Sequence, residues 1–136
     1  MEFDTKIAVV LRDDLAVWQK ANVTAFLISG ISGTTPEVVG EPYEDASGNR
    51  YLPMFRQPVL VFGADAAAIR RAYERAMQRE VELAIYTKEL FVTGHDEANR
   101  AAVAAVAAED LDLVGIALRA DRKLVDKVVD KLKPHP

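Results

Sequence analysis

Short apolar runs alternate with longer amphipathic runs along the chain, and this alternation predicts most of the fold. Four short runs are continuously apolar and rich in β-branched residues, which is typical of strands covered on both faces. We place the first of them in the centre of the sheet. The four predicted strands are Lys6–Leu11, Pro58–Phe62, Val81–Tyr86 and Leu111–Leu118.

A run with helical periodicity follows each predicted strand. The first helix begins after Asp14, whose carboxylate suits an N-cap, and stops at Gly30. The second follows the spacing i, i+3, i+4 and i+7 from Ile69. The third is alanine-rich and begins near Thr93 in a capping-box-like segment, and the fourth is capped by Asp121.

Strands that alternate with helices predict a single α/β domain over residues 1–136, with a largely parallel sheet and helices on both of its faces. Glycine, proline and small polar residues over Ser29–Gly40 predict a loop. The turn-forming Ser47-Gly48-Asn49 predicts a small hairpin between Tyr43 and Tyr51.

Composition narrows the class of protein. Hydrophobic residues make up 50% of the 136-residue chain and charged residues 28%, which is typical of a globular domain. The chain has no cysteine, which excludes disulfides, thiolate metal sites and thiol nucleophiles. No apolar run reaches the roughly 18 residues of a membrane span, and no secretory signal is present, so we expect a cytoplasmic protein without membrane contact.

Charge and motif content disfavour several partners. The formal net charge is −4 and the basic residues are spread along the chain, whereas nucleic-acid binding needs clustered Lys and Arg. The two histidines, His95 and His135, are far apart in the sequence, which disfavours a metal site. The segment Gly30–Thr35 resembles a phosphate loop but follows a helix and lacks the Gly-Lys-Ser/Thr ending, so we expect no cofactor.

The charged residues after the first strand form the best candidate site. In open α/β sheets, ligands bind outside the carboxyl ends of the parallel strands. Arg12, Asp13, Asp14 and Lys20 occupy this position, and the two cations there suit a carboxylate or a phosphate. The alternative is that Asp14 only caps the helix, while Arg12 and Asp13 belong to a solvated turn.

Thr87 and Lys88 end the third predicted strand and extend the candidate site. If that strand is parallel to the first, both residues reach the same edge as Lys20 and complete an anion site; otherwise they are an exposed strand end. His95 lies beside Asp96, and such a pair can perform general acid–base chemistry. A histidine in the first turn of a helix is more often ordinary surface, so we assign no catalytic residue.

Three segments together resemble the type II peptidyl-tRNA hydrolase fold, and the resemblance spans most of the chain. It implies a three-layer α/β/α sandwich around a mixed sheet of about four strands, commonly assembled as a homodimer. The opening segment is similar, more specifically, to a family of small bacterial proteins of unknown function that share this fold. The segments are KIAVVLRDDLAVWQKANVTAFLISG, VLVFGADAAAIRRAYERAM and LDLVGIALRADRKLVDKVVDKLK.

The residues that carry catalysis in the hydrolases are largely not matched. Asp14-Leu15 matches the Asp-Leu that follows their first strand, and Lys20 aligns with one of their lysines only after a slip of about one residue. Their glutamine and histidine positions fall in the largely apolar Thr24–Ser29, and their Asp-Ala-Gly-x-Thr loop is replaced by Thr87–Gly94. The resemblance is therefore more specific for fold than for activity.

Three hypotheses about function follow. The first is a homodimer that binds a small anionic ligand at the carboxyl edge of the sheet. The second is a hydrolase of peptidyl-tRNA or another ester-linked nucleotide substrate, in which Lys20 and Asp13 act as electrostatic and acid–base groups. The third is a purely structural partner protein, which would show an apolar surface without a concave pocket.

Overall fold

The computed structural model describes residues 3–136. The strands and helices follow one another in the order below, with 3-10 turns at Pro36–Val38, Lys88–Phe91 and Ala108–Asp110. They are β1 (Thr5–Arg12), α1 (Val17–Thr34), β2 (Tyr43–Glu44), β3 (Arg50–Tyr51), β4 (Val59–Ala64), α2 (Ala66–Gln78), β5 (Leu83–Thr87), α3 (Asp96–Ala104), β6 (Leu113–Asp121), α4 (Arg122–Val128) and β7 (Lys133–Pro134).

Five strands form the main sheet in the order β5-β6-β1-β4-β7, and β2 and β3 form a separate hairpin. Strand β1 lies in the centre, as predicted. Among residues 3–136, only β1 and β4 pair in parallel within this sheet, whereas β6 pairs antiparallel with both of its neighbours and β7 pairs antiparallel with β4. The prediction of a mostly parallel sheet of about four strands is therefore wrong.

The position of α3 explains why β6 runs antiparallel. A parallel connection must carry the chain back across the sheet to the edge where the previous strand began. Helix α3 instead packs against the turn at Lys88–Phe91, which follows directly after the end of β5. Strand β6 consequently starts at the edge where β5 ends, and the Lys88 N–H donates to the Asp112 carbonyl at 3.0 Å across that junction.

Strands β1, β4 and β5 nevertheless point in one direction, because two successive antiparallel pairings restore the direction of β5 to that of β1. Their carboxyl ends meet at a single edge of the sheet, which we call the carboxyl edge. Strand β5 therefore runs parallel to β1, which is the condition under which Thr87 and Lys88 reach the same edge as Lys20, although β5 does not pair with β1.

Helices cover both faces of the main sheet. On one face, α1 buries Val23, Leu27 and Ile31 against the alternate β1 side chains that begin with Ile7. On the other face, α2 and α4 pack against Ala8 and the remaining alternate residues of β1. This arrangement gives three layers, in which the sheet lies between two layers of helices and β1 lies at the centre of the sheet.

Helix α1 differs from its prediction at both ends. Its N-cap is Ala16, whose backbone N–H donates to the Gln19 side-chain oxygen at 2.9 Å, while Asp14 is held elsewhere. The helix also continues through Gly30 to Thr34. Gly30 lies against β5, where an added β-carbon would be in ordinary van der Waals contact with the β-carbon of Ala84, at 3.4 Å.

The caps of α2 and α4 follow the sequence pattern, whereas α3 is capped by His95, which accepts from the Ala98 N–H, and not by Thr93. Asp65 accepts from the Ala68 N–H at 2.8 Å at the start of α2, and Asp121 accepts from the Lys123 N–H at 3.0 Å at the start of α4. The hairpin predicted between Tyr43 and Tyr51 is also present. Among residues 3–136, no helix combines the length and the apolar character needed to cross a membrane.

Candidate anion-binding site

Arg12 is the structural centre of the carboxyl edge. Its guanidinium forms two hydrogen bonds with the Asp14 carboxylate, at 2.9 and 3.1 Å, and a third with Asp112 Oδ1 at 2.6 Å. It also donates to the Leu113 carbonyl at 3.4 Å. Arg12 therefore ties the end of β1 to the start of β6, and its charge is already matched by two carboxylates.

This pairing changes the titration of both partners. The hydrogen bonds that Arg12 donates to Asp14, together with the one to Asp112, raise the pKa of Arg12 despite its partial burial. The Arg12 hydrogen bonds lower the pKa of Asp14, and the nearby charge of Lys88 lowers it further. Asp14 is thus occupied by an ion pair and does not cap α1, which corrects the prediction made for it.

Lys20 projects from the first turn of α1 toward the last residues of the chain. Its ammonium nitrogen lies 3.0 Å from Nε2 of His135. An ammonium group can only donate, so Nε2 accepts, and the imidazole proton belongs on Nδ1, which donates to the Pro136 backbone oxygen at 3.1 Å. Lys20 has no carboxylate partner among residues 3–136, so its other N–H groups stay available.

Strand β7 explains how His135 reaches this position. The strand pairs antiparallel with β4, and the His135 N–H continues the ladder by donating to the Val61 carbonyl at 2.9 Å. The imidazole is thereby fixed beside the start of α1. A two-residue strand at the end of the chain carries no periodic pattern, so sequence reasoning missed both β7 and the role of His135.

Asp13 and His135 both lie near Gly63 in β4. Its backbone N–H donates to the Ala64 carbonyl at 2.9 Å, which fixes the turn after β1. A β-carbon on Gly63 would lie 2.5 Å from Asp13 Oδ1 and 3.5 Å from Cδ2 of His135. Glycine at position 63 therefore leaves room for the Asp13 carboxylate, and the His135 ring lies at the border of the same space.

Thr87 and Lys88 lie at the other end of the carboxyl edge, beside β6. Thr87 is only 2% exposed, and its hydroxyl has no hydrogen-bond partner among residues 3–136. Lys88 is exposed and lies close enough to Asp14 to lower the pKa of that carboxyl. The structure thus divides the predicted site into a β5–β6 part and a β4–β7 part. Among residues 3–136, the second part contains the contact between Lys20 and His135, with the Asp13 carboxylate near the His135 ring at Gly63.

The β4–β7 part, which we call the Lys20 cluster, consists of Lys20, His135 and Asp13. The ammonium group supplies N–H donors and a positive charge for an oxyanion. The Asp13 carboxylate supplies an acceptor that can bind hydroxyl or amino groups or take a proton. The imidazole of His135 holds the ammonium group in place, because its Nε2 accepts from Lys20. Within residues 3–136, no three His, Cys, Asp or Glu side chains are arranged to hold a metal ion.

The fold and the carboxyl edge together define a mixed α/β protein. Its carboxyl edge is charged, with Arg12 in ion pairs and Lys20 without a carboxylate partner among residues 3–136. The chain belongs to the family described as "Protein of unknown function (DUF2000)", whose model matches residues 5–136. It is similar to a solved structure of a protein of unknown function, Atu0240, from Agrobacterium tumefaciens strain C58. The two are 51% identical with a TM-score of 0.97, over 99% of this chain and 100% of that chain.

These comparisons bear on the resemblance inferred from the sequence. Membership of a family of unknown function is confirmed. Neither the family nor the solved structure links the chain to the peptidyl-tRNA hydrolases, and no curated protein matches it. The hydrolase-like fold therefore stays a prediction.

Proposed function

We propose that the protein binds a small anionic ligand, with a phosphate or carboxylate group, at the Lys20 cluster. The observation that carries the proposal is the contact between Lys20 Nζ and His135 Nε2 at 3.0 Å. It orients a lysine that has no carboxylate partner among residues 3–136, whereas Arg12 is satisfied by Asp14 and Asp112. An oriented cation with free N–H groups favours an oxyanion, and Asp13 is placed to accept from a hydroxyl or amino group of the same ligand.

A thermal-shift screen tests this proposal. Purified protein is heated with inorganic phosphate, nucleotides and small mono- and dicarboxylates, since a ligand that binds only the native state raises the melting temperature by mass action. We expect a concentration-dependent shift that Lys20→Ala abolishes. Lys88→Ala is the matched control, because Lys88 is an exposed lysine at the other end of the same edge, and it should keep the shift. An identical shift in Lys20→Ala, or no shift with any anion, would refute the proposal.

A second candidate is hydrolysis of an ester-linked nucleotide substrate such as peptidyl-tRNA. It is favoured by one observation: Asp13 Oδ1 and the His135 ring both lie within 4 Å of the position that a β-carbon on Gly63 would occupy. A carboxylate beside an imidazole suits proton transfer to or from an attacking water, and Lys20 would stabilise the developing oxyanion. The absence of the hydrolases' glutamine and histidine from Thr24–Ser29 counts against peptidyl-tRNA itself.

Turnover separates the two candidates. A hydrolase loses activity in both His135→Gln and Asp13→Asn, while a pure anion-binding site keeps its affinity, or gains some, when the negative charge of Asp13 is removed. If wild-type protein leaves peptidyl-tRNA and simple nucleotide esters intact, the hydrolase candidate fails without affecting the binding proposal.

We also propose that two copies associate through the β2–β3 hairpin. The hairpin and the three residues after it present four large apolar side chains to solvent, and exposed apolar surface of this kind is typical of an interface. Its turn is well held, because the Asp45 carboxylate accepts hydrogen bonds from two backbone N–H groups and two side chains. The exposed side chains are those of Tyr43, Tyr51, Leu52 and Met54.

A further inference from the structure

A concave site lies outside the carboxyl end of β5, on the face of the sheet that α1 covers. The first half of α1 forms one wall, and the segment from the end of β5 to the start of α3 forms the other. The cavity has a volume of about 390 Å³, within the range of pockets that enclose small molecules. Neither Lys20 nor His135 lines it, so we call it the aromatic cleft and treat it separately from the Lys20 cluster.

Four aromatic rings form a continuous wall in this cleft. Trp18 contacts Phe91 with ring centroids 6.1 Å apart, Phe91 contacts Tyr86 at 5.2 Å, and Tyr86 contacts Phe26 at 5.8 Å. The two outer rings, Trp18 and Phe26, are 63% and 52% exposed. Exposed aromatic surface beside a cavity favours a ligand that brings a π-face of its own, because stacking removes both surfaces from water.

Polar atoms without partners lie between these rings. The Asn22 amide makes only a long 3.5 Å hydrogen bond from its nitrogen to the Tyr86 hydroxyl, and its oxygen has no partner among residues 3–136. Asn99 accepts from Thr93 through its oxygen, which leaves its NH₂ group free within the described part of the chain. The cleft therefore offers both a carboxamide acceptor and a carboxamide donor.

His95 supplies a further donor. Its Nδ1 accepts from the Ala98 N–H at 3.2 Å, so the proton of the neutral ring is on Nε2, for which residues 3–136 provide no acceptor. The nearby Asp96 is already paired with Arg100. The cleft is thus lined by aromatic faces, donors and acceptors, and none of its lining residues is a lysine or an arginine that would select a phosphate or a carboxylate.

We infer that the aromatic cleft binds a neutral, planar heteroaromatic ring whose edge carries both hydrogen-bond donors and acceptors, as a nucleobase does. An aliphatic chain would leave Asn22 and Asn99 unpaired, which costs free energy in a desolvated site. A simple anion would gain nothing from the aromatic wall. A heteroaromatic ring can stack on the aromatic side chains and form hydrogen bonds with the carboxamides of Asn22 and Asn99.

The chain provides a direct reporter, because Trp18 is its single tryptophan. We would titrate the wild-type protein with the neutral nucleosides adenosine, guanosine, cytidine and uridine and follow the tryptophan fluorescence. The expected result is saturable quenching by at least one nucleoside and none by inorganic phosphate. Phe26→Ala and Asn99→Ala should each weaken that binding about tenfold or more, the effect of losing one stacking or hydrogen-bonding partner.

Met77→Ala is the matched control, since Met77 is a large apolar residue of similar exposure that lies on α2 and does not line the cleft, and it should leave the affinity unchanged. Absence of saturable binding for all four nucleosides would overturn the inference. So would saturable binding with the same affinity in Phe26→Ala and Asn99→Ala. The Lys20→Ala variant should bind the nucleoside normally, which separates failure of this site from failure of the Lys20 cluster.

Discussion

At the scale of single residues, Arg12 shows how one side chain can organise an edge without being free to bind a ligand. The sequence places it correctly at the end of β1, but the partner that comes from 100 positions away, Asp112, is invisible in a linear pattern. The role of the local partner Asp14 is predicted wrongly for a different reason: an aspartate can serve either as a helix cap or in an ion pair, and the sequence does not distinguish the two. What a charged residue does depends on which of its possible partners the fold brings close.

Arg12→Ala should lower the free energy of unfolding by about 1–2 kcal/mol, because it leaves Asp14 and Asp112 without their hydrogen-bond donor. Urea denaturation at neutral pH measures this. Arg100→Ala removes only the exposed pair with Asp96 and should cost less than about 0.5 kcal/mol. Equal losses in the two variants would show that Arg12 is not a structural clamp.

The Arg12–Asp14 pair should also give a defined pH dependence. The folded-state pKa of Asp14 is lowered from 3.8, so its stabilisation is fully present above pH 3.8 and is lost as the pH falls through the lowered value. The stability difference between wild type and Arg12→Ala should therefore narrow in acid. A difference that stays constant from neutral pH into strong acid would contradict this.

Asp45 provides a second residue-scale prediction. The hydroxyl of Tyr51 at 2.7 Å, followed by the groups of Asn49 and Ser47, lowers the pKa of Asp45 from 3.8 to about 2. The turn should therefore hold together above pH 3.8 and loosen only as the pH falls through about 2. NMR titration of the carboxyl carbon measures the value, and Tyr51→Phe should raise it. An ordinary pKa in the wild type would mean that the hairpin turn is not formed as described.

At the scale of elements, glycine at a contact point sets how closely α1 approaches the sheet. A β-carbon on Gly115 would lie 2.5 Å from Cγ1 of Val23 and 3.0 Å from Cδ1 of Leu27. Gly115→Ala should cost about 1–3 kcal/mol through overpacking. Denaturant midpoints measure the cost.

Gly33→Ala is the matched control for this contact. Gly33 lies in α1, and a β-carbon added there would have no neighbouring atom within 4 Å, so alanine should be neutral or stabilising by up to about 1 kcal/mol. Equal destabilisation by the two substitutions would show that packing against Val23 and Leu27 is not the cause.

The elements also show what sequence periodicity can and cannot predict. Apolar runs and caps located β1, β4, β5, β6 and the helices that follow them, because burial and capping leave local patterns. They did not give the direction of β6, which depends on whether α3 crosses the sheet. They did not give β7, whose two residues pair only because β4 offers a free edge. For the same reason, the site predicted from the sequence contains Lys20 and Asp13 but not His135.

At the scale of the whole molecule, the β2–β3 hairpin should govern association. Leu52 is 85% exposed beside the exposed tyrosines of the hairpin, so a charge there should disrupt a dimer. We expect light scattering after size exclusion to give twice the chain mass for the wild type and the chain mass for Leu52→Asp. Val92→Asp changes a residue that is 89% exposed elsewhere and should stay dimeric. A monomeric wild type would refute the homodimer.

The sheet is not mostly parallel, contrary to the prediction from the sequence, but the carboxyl ends of β1, β4 and β5 still meet at one edge because these three strands share one direction. The proposed anion site, however, depends on distant parts of the chain meeting, with Lys20 from the first helix and His135 from the segment that follows the last strand. The central claim is that this contact prepares an anion site.

The most direct test is a titration of isotope-labelled protein with inorganic phosphate and with succinate, followed by NMR at the ring nitrogens of His135. An anion at Lys20 would change the hydrogen bond that Nε2 accepts, so we predict a saturable shift of Nε2 in the wild type and in Lys88→Ala, and none in Lys20→Ala. The account would be contradicted if the Nε2 signal of His135 did not shift with either anion, or if it shifted equally in Lys20→Ala.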